Sequence, residues 1–597
     1  MPGIESAVTD RITTHLALLY GAEQAQAAWK RLEAMLMSFQ TRHPNPAGRR
    51  AATLCERDVI LITYGDQFRA PGATPLNTLH TFLTQTLGRA VSGVHILPFF
   101  PYSSDDGFSV IDYTTVNPEM GTWEDVERLG RDFCLMVDAV VNHVSRHSDW
   151  VQRFRAGDPS YADWFITVEP DADLSMVVRP RALPLLHALH TANGQRWVWT
   201  TFSEDQIDLN YAHPPVLLKM IEVLLFYVEK GARLIRLDAI AYLWKELGTS
   251  CIHLPQTHQV VKLLRAVLDA VAPHVLLITE TNVPHEDNIS YFGKPLGDTG
   301  MTDEAQMVYQ FPLAPLVMHS ILTGDARVIS QWAAGLETPA QHATFFNFTA
   351  SHDGIGVMPA RGLLSEADIQ NLVDATLAHG GRVSHKTNAD GSRSVYELNV
   401  SYFDALSDPK ADEPLQLQVQ RFMVGQAMML ALAGVPGIYV HSVLGSRSWH
   451  QGVVETGRAR SINREKLECD VLERELADPR TLRHRVFHAY RALLQARTSQ
   501  RAFHPEGPQR VVALHDAVFA LLRTSPDGED HALCMHNVSP VVVEVELLPS
   551  TLHAPFGPWR DLLGGSELVL AASGAKLQLE PYGVAWLHLQ ARSQRAV

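Results

Sequence analysis

The sequence predicts an α/β protein: a (β/α)8 TIM barrel with inserted subdomains after strands 3 and 7, followed by a C-terminal β-sandwich domain. From Val59 onward, short apolar strand patterns alternate with helical patterns, as in a parallel sheet with crossover helices. Four of these strand patterns end in acidic or imidazole side chains, and a parallel barrel brings its strand ends to one face. After about Phe503 the pattern changes to short alternating runs, which are typical of a sandwich.

The composition is that of a large globular protein. The chain has 597 residues, of which 46% are hydrophobic and 19% charged, enough for two or three domains. Its formal net charge of -15 repels a phosphate backbone, so we expect no nucleic acid partner. The first residues lack an unbroken apolar core, and the apolar segment Val216–Val228 is too short to span a bilayer. We therefore expect neither a secretory signal nor a membrane partner.

The five cysteines predict neither a disulfide framework nor a metal site. They are far apart, odd in number and without a Cys/His metal spacing, and they are Cys55, Cys134, Cys251, Cys469 and Cys534. We expect a cytoplasmic protein with no metal and no cofactor. The oligomeric state stays open, with a homodimer as one option.

Three domains are expected along the chain. Residues 1–57 form an N-terminal helical extension, because Glu23–Phe39 has helical periodicity. Residues 58–502 form the catalytic barrel, and residues 503–597 form the C-terminal β domain. The barrel contains two long insertions, at about residues 144–212 and 354–412, both of which exceed an ordinary βα connection.

The barrel elements can be placed in order. Val59–Asp66 and Gly93–Phe100 are the first two strands, Gly437–Leu444 is the eighth, and a closing helix covers about Thr481–Arg497. The second insertion holds a helix at Ser365–His379 and then a polar loop, residues 380–393, that we predict to be mobile.

The stretch Gly231–Glu246 carries an apolar strand that ends in Arg236 and Asp238. Arg and Asp are almost never buried unless they are paired. The pair is therefore either a structural salt bridge or part of a polar site at the strand end.

Three further apolar strands end in the same kind of residue. These residues are Asp138, Asn142 and His143 in the strand pattern that begins at Cys134, Glu280 in the one that begins at His274, and His352 and Asp353 in the one that begins at Thr344. Because the ends of parallel barrel strands share one face, all of them are expected at one site.

The motifs DAVVNH, RLDAI, ITETN and ASHD resemble, in order, the four signature regions of the α-amylase family of retaining glycoside hydrolases and transglycosidases. The resemblance implies that Asp238 is the nucleophile, Glu280 the general acid/base and Asp353 the transition-state stabiliser. It also implies that Arg236, His143 and His352 orient the nucleophile and the sugar hydroxyls.

Retention requires two carboxyl groups about 5 to 5.5 Å apart, one that attacks the anomeric carbon and one that protonates the departing oxygen. Glu280 follows a continuous apolar strand, and burial raises a carboxyl pKa, so Glu280 is expected to stay protonated as the acid. Arg236 lies two residues from Asp238 and favours the ionised form of the nucleophile.

The chain from about Val59 onward resembles the sucrose phosphorylase branch of that family, in HILPFFPYSSDDGF, RPRALP, ETNVPHEDN, ASHDGIGV and SINRE. The resemblance implies that phosphate attacks a glucosyl-enzyme and releases α-glucose 1-phosphate. It places Asp105 and Phe108 at the glucose and makes Arg181 a phosphate ligand, since a guanidinium suits a dianion. It also implies no calcium near Asn142. The alternative for the Asp105 loop is a solvated turn.

Further pocket residues are expected from the insertions and from the end of the barrel. These substrate-binding candidates are Arg179, Phe202, Gln206, Tyr396, Glu397 and Arg460.

At two positions the sequence differs from sucrose phosphorylases in a way that bears on the identity of the acceptor. Glu397 follows Tyr396 where those enzymes carry Gln, and Val178 precedes RPR where they carry Tyr. The segments LGSRSW and TGRARSINRE are closer in sequence to glucosylglycerate phosphorylases, which act on a carboxylate acceptor. A cationic loop matches that acceptor, although its members can equally be solvated charges: Arg382, His385, Lys386 and Arg393.

We therefore favour reversible phosphorolysis of 2-O-α-D-glucosyl-D-glycerate through a glucosyl-Asp intermediate. Sucrose or sucrose 6-phosphate phosphorylase, glucosylglycerol phosphorylase and a plain α-glucosidase remain as alternatives. A catalytically silent scaffold is the non-enzyme alternative, but such a protein would have lost carboxylates that this chain keeps.

Overall fold

A computed structural model describes residues 4–43, 54–181, 183–388, 392–552 and 557–589. Within these ranges eight parallel strands close into a barrel. The strands are β1 (Ile60–Thr63), β2 (Gly93–Ile96), β3 (Cys134–Ala139), β4 (Leu234–Leu237), β5 (Leu276–Thr279), β6 (Met307–Tyr309), β7 (Thr344–Asn347) and β8 (Val435–Tyr439). They follow one another around the barrel, and β8 pairs with β1. The predicted (β/α)8 barrel is confirmed.

The barrel interior is apolar except for a polar layer near the strand ends. His95 of β2, Asp138 of β3 and Arg236 of β4 are all buried there. The β3–β4 register sets Asp138 beside Arg236, so the two opposite charges meet in the core. Two members of this layer, Asp138 and Arg236, are strand-end residues that the sequence singles out, and Arg236 contacts a third, Asp238.

The chain forms helices before, between and after the barrel strands. The described helices are Ser6–Arg42, Pro75–Phe82, Trp123–Asp132, Asp149–Ala156, Pro214–Glu229, Pro255–Val271, His285–Ile289, Leu313–Thr323, Arg327–Ala334, Glu366–Ala378, Tyr402–Leu406, Leu415–Ala431, Val440–Val443, His450–Thr456, Cys469–Ala477, Leu482–Thr498 and Pro549–Leu552. None of the described helices is both long enough and apolar enough to cross a membrane.

The N-terminal helix is longer than the sequence predicts. It covers Ser6–Arg42, with a break at Gly21, whose positive φ of 72° suits a residue without a Cβ. It packs on Pro255–Val271 and Pro214–Glu229, and Arg11 pairs with Asp269 at 2.9 Å. Residues 1–3 and 44–53 of the predicted extension lie outside the described residues.

The segment between β3 and Pro214 forms a small structure of its own on the catalytic face. It contains a hairpin of Leu186–Thr191 and Gly194–Trp199, and a second pair in which His143–Ser145 runs antiparallel to Gln206–Asp208. The second pair returns the insertion to the end of β3, beside His143.

Two predictions about the second half of the barrel are wrong. The polar segment predicted as a mobile loop contains a pair of antiparallel strands, Arg382–Thr387 with Arg393–Asn399, and residues 389–391 lie outside the described residues. Strand β8 ends at Tyr439, and a helix at Val440–Val443 replaces the rest of the predicted strand. A short apolar run fits a buried helix as well as a buried strand, so periodicity could not separate them.

The C-terminal region consists of two sheets that face each other. A six-stranded sheet has the order Gln509–Val511, Val518–Thr524, His531–Asn537, Val584–Leu589, Gly557–Asp561, Glu567–Leu570, and a two-stranded sheet pairs Val543–Leu547 with Ala575–Leu579. Leu522 of the first sheet and Val545 of the second share one apolar core. The strand-rich C-terminal region is as predicted.

Candidate active site

The carboxyl ends of the barrel strands open into a cavity of about 660 Å³. The predicted site residues that line it are Asp105, Phe108, His143, Arg181, Phe202, Gln206, Asp238, Glu280, His352, Asp353, Tyr396, Glu397 and Arg460. Barrel strands and both insertions thus contribute to one concave surface. Arg236 lies beneath this surface, and Arg179 is not among the lining residues.

Arg236 connects the predicted nucleophile to the polar layer of the barrel. Its Nη1 donates to Asp238 Oδ1 at 2.7 Å and also to Asp138. His95 Nε2 lies 2.6 Å from the other oxygen of Asp138. Burial favours the neutral acid, but Arg236 and His95 lower the pKa of Asp138 to about 2. Asp138 therefore stays ionised and fixes the guanidinium on which Asp238 rests.

The ionisation of Asp238 is set by opposing effects. Burial raises the pKa of Asp238, and the negative charge of Asp138 adds to that rise. The Arg236 guanidinium acts in the predicted direction and favours the carboxylate, although it does not cancel the burial. Its hydrogen bond also fixes Oδ1, so only part of the carboxylate is engaged by the protein.

Glu280 follows β5 and has the environment of a general acid. Burial, with help from Asp238 and Asp353, raises the pKa of Glu280 to about 7, although Arg236 opposes the shift. The backbone N–H of Ala239 donates to Glu280 Oε2 at 3.1 Å. Ala239 holds this position with a positive φ of 49°, which an L-residue adopts only at some cost. The end of β4 thus orients the acid at the end of β5.

Asp353 lies after β7 in a cationic environment. Arg460 Nη1 contacts Asp353 Oδ1 at 2.5 Å, and Arg464 Nη2 lies 3.6 Å from the same oxygen. Burial alone would raise its pKa, but Arg460, His352 and Arg464 hold it well below the usual range. Burial in turn lowers the pKa of His352 to about 3. At neutral pH Asp353 is ionised and His352 is neutral.

The loop after β2 closes one side of the cavity. Phe108 stacks on His352 with ring centroids 4.8 Å apart, and its carbonyl lies 2.8 Å from His143 Nε2. Gln206 Nε2 donates to the same carbonyl at 3.1 Å. Asp105 adopts a positive φ of 55°, and burial is outweighed by nearby guanidinium groups, so its pKa is lowered. The solvated-turn alternative does not fit a loop that is fixed by these contacts.

Arg464 is a site residue that the sequence reasoning missed. Its Nε donates to the His352 carbonyl at 2.9 Å, and its Nη1 lies 2.5 Å from Asp106 and 3.6 Å from Asp105. One buried guanidinium therefore joins the loop after β2 to the end of β7. Its four-residue spacing from Arg460 in ARSINR was the available signal.

A buried lysine ties the first insertion to the barrel. Lys245 Nζ lies 2.6 Å from Asp208 Oδ2 and donates to Asn142 Oδ1 at 2.8 Å. Asn142 and Asp208 also flank His143, through the amide at 3.3 Å and through strand pairing. The ammonium group supplies the positive charge at these oxygens. Among the described residues no cluster of three or more acidic, His or Cys side chains could hold a metal ion.

The insertions supply the opposite side of the cavity. Arg181 lies over the Tyr396 ring at 5.9 Å from its centroid. Glu397, the next residue, pairs with Arg460 through Nε at 3.0 Å and through Nη2. Phe202 contacts His143 and Tyr242, at centroid distances of 5.3 and 5.6 Å.

Tyr242 and Asn282 also line the cavity, and the sequence reasoning did not select them. Tyr242 follows Asp238 by four residues, and Asn282 follows Glu280 by two. The signal for both was their position just beyond a catalytic strand end.

The cationic hairpin lies farther from the reacting groups. Arg382, His385 and Arg393 are exposed, Lys386 is half-buried, and the lining described above includes none of them. Burial and the charge of Arg361 lower the pKa of Lys386.

Comparisons with known proteins agree with this geometry. A family model described as "Alpha amylase, catalytic domain" matches residues 84–353. A glucosylglycerate phosphorylase of Spirochaeta thermophila is 50% identical, over 97% of this chain and 98% of that protein. One of Escherichia coli is 44% identical, over 97% and 99%.

A solved structure shares the fold. The sucrose 6F-phosphate phosphorylase of Thermoanaerobacter thermosaccharolyticum matches 89% of this chain and 100% of its own, with a TM-score of 0.70 and 23% identity. At that identity the likeness concerns the fold and not the substrate.

Proposed function

Because the chain belongs to the α-amylase family, among its glucosylglycerate phosphorylases, we propose that it is a retaining glycoside phosphorylase. It converts 2-O-α-D-glucosyl-D-glycerate and phosphate to α-D-glucose 1-phosphate and D-glycerate, reversibly. The identity of 50% over nearly the whole chain supports this substrate. The cavity supports the reaction, since its lining combines five carboxyl groups, Asp238, Glu280 and Asp353 among them, with two guanidinium groups.

The reaction proceeds by two displacements. Asp238 attacks the anomeric carbon, the bond to the glycerate oxygen breaks, and Glu280 gives its proton to that oxygen. Asp353 stabilises the positive charge that develops on the sugar. An oxygen of hydrogen phosphate then attacks the same carbon, the bond to Asp238 breaks and releases its carboxylate, and the phosphate proton returns to Glu280. Two inversions restore the α configuration.

The observation that best supports phosphate as the second substrate is the environment of Arg181. Of the two guanidinium groups in the lining, Arg460 is paired with Asp353 and Glu397, whereas Arg181 pairs with no acidic side chain in the described part of the chain. A cation without an acidic partner, beside the catalytic carboxylates, is suited to an incoming dianion. A plain hydrolase would not need it.

The synthetic direction tests the proposal. The protein is incubated with α-glucose 1-phosphate and D-glycerate, fructose, fructose 6-phosphate or glycerol, and phosphate release is measured. We expect the highest kcat/KM with D-glycerate, because a neutral acceptor leaves the guanidinium poorly paired in a desolvated pocket. A tenfold preference for fructose 6-phosphate would contradict the glycerate assignment while leaving the phosphorylase intact.

The stereochemistry provides a second check in the phosphorolytic direction. An NMR time course should show α-glucose 1-phosphate as the first product. Initial appearance of the β anomer would exclude the double displacement.

We also propose that the protein acts in the cytoplasm; a homodimer is one option for its oligomeric state. The cytoplasmic location is supported by the five cysteines, all of which are free in the described structure. Light scattering after size exclusion measures the oligomeric state directly.

A further inference from the structure

His95 is a buried imidazole to which the mechanism above assigns no role. It belongs to β2, within the segment HILPFF, and its side chain is 0% exposed. Its Nε2 lies 2.6 Å from Asp138 Oδ2. Because an ionised carboxylate can only accept, Nε2 carries the proton and donates it. Nδ1 is also buried and has no hydrogen-bond partner in the described part of the chain, so Asp138 is the polar group on which this imidazole acts.

Asp138 shares the Arg236 guanidinium with the nucleophile. Arg236 Nη1 donates to Asp138 Oδ1 and, at 2.7 Å, to Asp238 Oδ1. Since Nη1 carries two hydrogens, each carboxylate takes one of them. A continuous series of three hydrogen bonds therefore runs from His95 on β2, through Asp138 on β3 and Arg236 on β4, to Asp238.

We propose that His95 positions the nucleophile. By donating to the second oxygen of Asp138, it limits the hold of that carboxylate on Arg236 and so keeps the guanidinium on Asp238. His95 is not among the residues that line the cavity, so it is a positioning residue that acts through Asp138 and Arg236. The inference rests on the first displacement of the proposed function, in which Asp238 attacks the sugar.

The burial of Asp138 gives the physical reason. A carboxylate in a dry interior needs a donor at each oxygen. Without His95, Oδ2 is left unpaired, and Arg236 is the neighbouring donor that can turn to pair with both oxygens. Arg236 lowers the pKa of Asp138 more strongly than His95 does, so Asp138 stays ionised without the imidazole. Its uncompensated charge and the displaced guanidinium then both raise the pKa of Asp238.

Other groups also act on these two carboxylates, and the test leaves them unchanged. Those that face Asp238 are Arg236, Asp138, His143, Glu280 and Tyr113, and those that face Asp138 are Arg236, His95, Tyr227, Tyr309 and His352. Glu280 must donate a proton to an ordinary glucoside. The donor α-glucosyl fluoride removes this requirement, since fluoride leaves without a proton, and thereby isolates the ionisation of the nucleophile.

The test is the pH dependence of kcat/KM for fluoride release from α-glucosyl fluoride, between pH 3.5 and 8. At low pH the rate falls because Asp238 becomes protonated, and this fall is the acid limb. His95→Phe keeps the ring size but removes the donor, so its acid limb should move up by about one pH unit or more. His95→Gln places an amide N–H near the position of Nε2 and should restore most of the wild-type limb. A purely structural role would lower the melting temperature and leave the limb in place.

Asp138→Asn provides a control of opposite sign. It removes the negative charge that raises the pKa of Asp238 and leaves Arg236 to the nucleophile, so the acid limb should move down even if the rate falls. Because His95 acts through Asp138, adding His95→Phe to Asp138→Asn should not move the limb further.

Three results in folded variants would each overturn the inference. They are a wild-type acid limb in His95→Phe, the same displaced limb in His95→Gln as in His95→Phe, and a further shift when His95→Phe is added to Asp138→Asn. If His95→Phe does not fold, His95→Leu makes the same comparison. Failure of the proposed function is distinct, because wild type would then release no fluoride, or would form glucose without α-glucose 1-phosphate at saturating phosphate.

Discussion

The two walls of the cavity differ in how their charged groups are held. In the barrel wall, Asp238, Glu280 and Asp353 sit at the ends of β4, β5 and β7 and contact buried arginines. In the insertion wall, Arg181 and Tyr396 come from two long connections, and Arg181 is matched with a ring and not with a carboxylate. The carboxylates proposed for bond cleavage are thus built into the barrel, whereas the groups proposed to select the acceptor lie on added segments.

The comparison predicts the largest effects in the barrel wall. Asp238→Asn should lower kcat by at least about 10³-fold with any glucosyl donor, because no covalent intermediate forms. Glu280→Gln should be equally inactive on the glucoside but should retain glucosyl transfer from α-glucosyl fluoride, since fluoride leaves without a proton. Kinetics with the two donors separate the roles. Asp238→Asn activity within tenfold of wild type would remove the mechanism.

The next largest effect should come from the Lys245–Asp208 ion pair, which connects the barrel to the first insertion. Lys245→Met leaves the Asp208 carboxylate buried without its cation, which costs about 3–5 kcal/mol in the free energy of unfolding. Chemical denaturation measures this loss.

The matched control is Lys245→Met combined with Asp208→Asn, which removes the orphaned charge and should recover part of the stability. If the double variant is no more stable than Lys245→Met, the buried ion pair is not the cause. A lower kcat in Lys245→Met would reflect the displacement of His143, which Asn142 and Asp208 flank.

The pH dependence sharpens the assignment of the acid. The first displacement needs protonated Glu280, whose pKa is raised to about 7 mainly by burial. The rate of glucosylation should therefore fall as pH rises through about 7, by about tenfold per unit above it. Pre-steady-state measurements from pH 5 to 9 would show this limb, and a flat profile up to pH 9 would contradict the assignment.

The same pKa has a consequence for stability. A folded-state pKa above the unfolded value means that burying the charged form is unfavourable, so this contribution to stability falls between about pH 4.5 and 7. Glu280→Gln should thus raise the melting temperature at pH 7.5 and have little effect near pH 4.5. An unchanged melting temperature at pH 7.5 would show that the site does not penalise the carboxylate.

Much of the barrel wall was predictable because its charged residues follow apolar strand patterns that can be recognised in the sequence. An apolar strand that ends in Asp238 could by itself carry a structural salt bridge, but four such strand ends in order define one face. Strand β6 was not recognised, because its three residues are too short for any periodicity to show. Arg464 was missed for a different reason, since its role depends on contacts with Asp106 and His352 from distant parts of the chain.

The insertion wall was predictable mainly through resemblance. Arg181, Tyr396 and Glu397 lie on segments without a regular pattern, and only the structure shows that Glu397 pairs with Arg460. The hairpin at Arg382–Thr387 was predicted as a loop because its polar residues hide the alternation around Val383. The sequence alone does not show which cationic side chains in such segments are paired with carboxylates.

The smallest effect is expected from the hairpin cations. Lys386 is half-buried, Arg393 is exposed, and neither lines the cavity as described, so solvent screens their charges from the reacting groups. Lys386→Ala combined with Arg393→Ala should change kcat/KM for D-glycerate by less than about threefold. A longer acceptor such as fructose 6-phosphate places its anion farther from the transferred oxygen, so its kcat/KM should fall more in the same variant. A larger loss for D-glycerate than for fructose 6-phosphate would show that the hairpin closes over the cavity and belongs to the acceptor site.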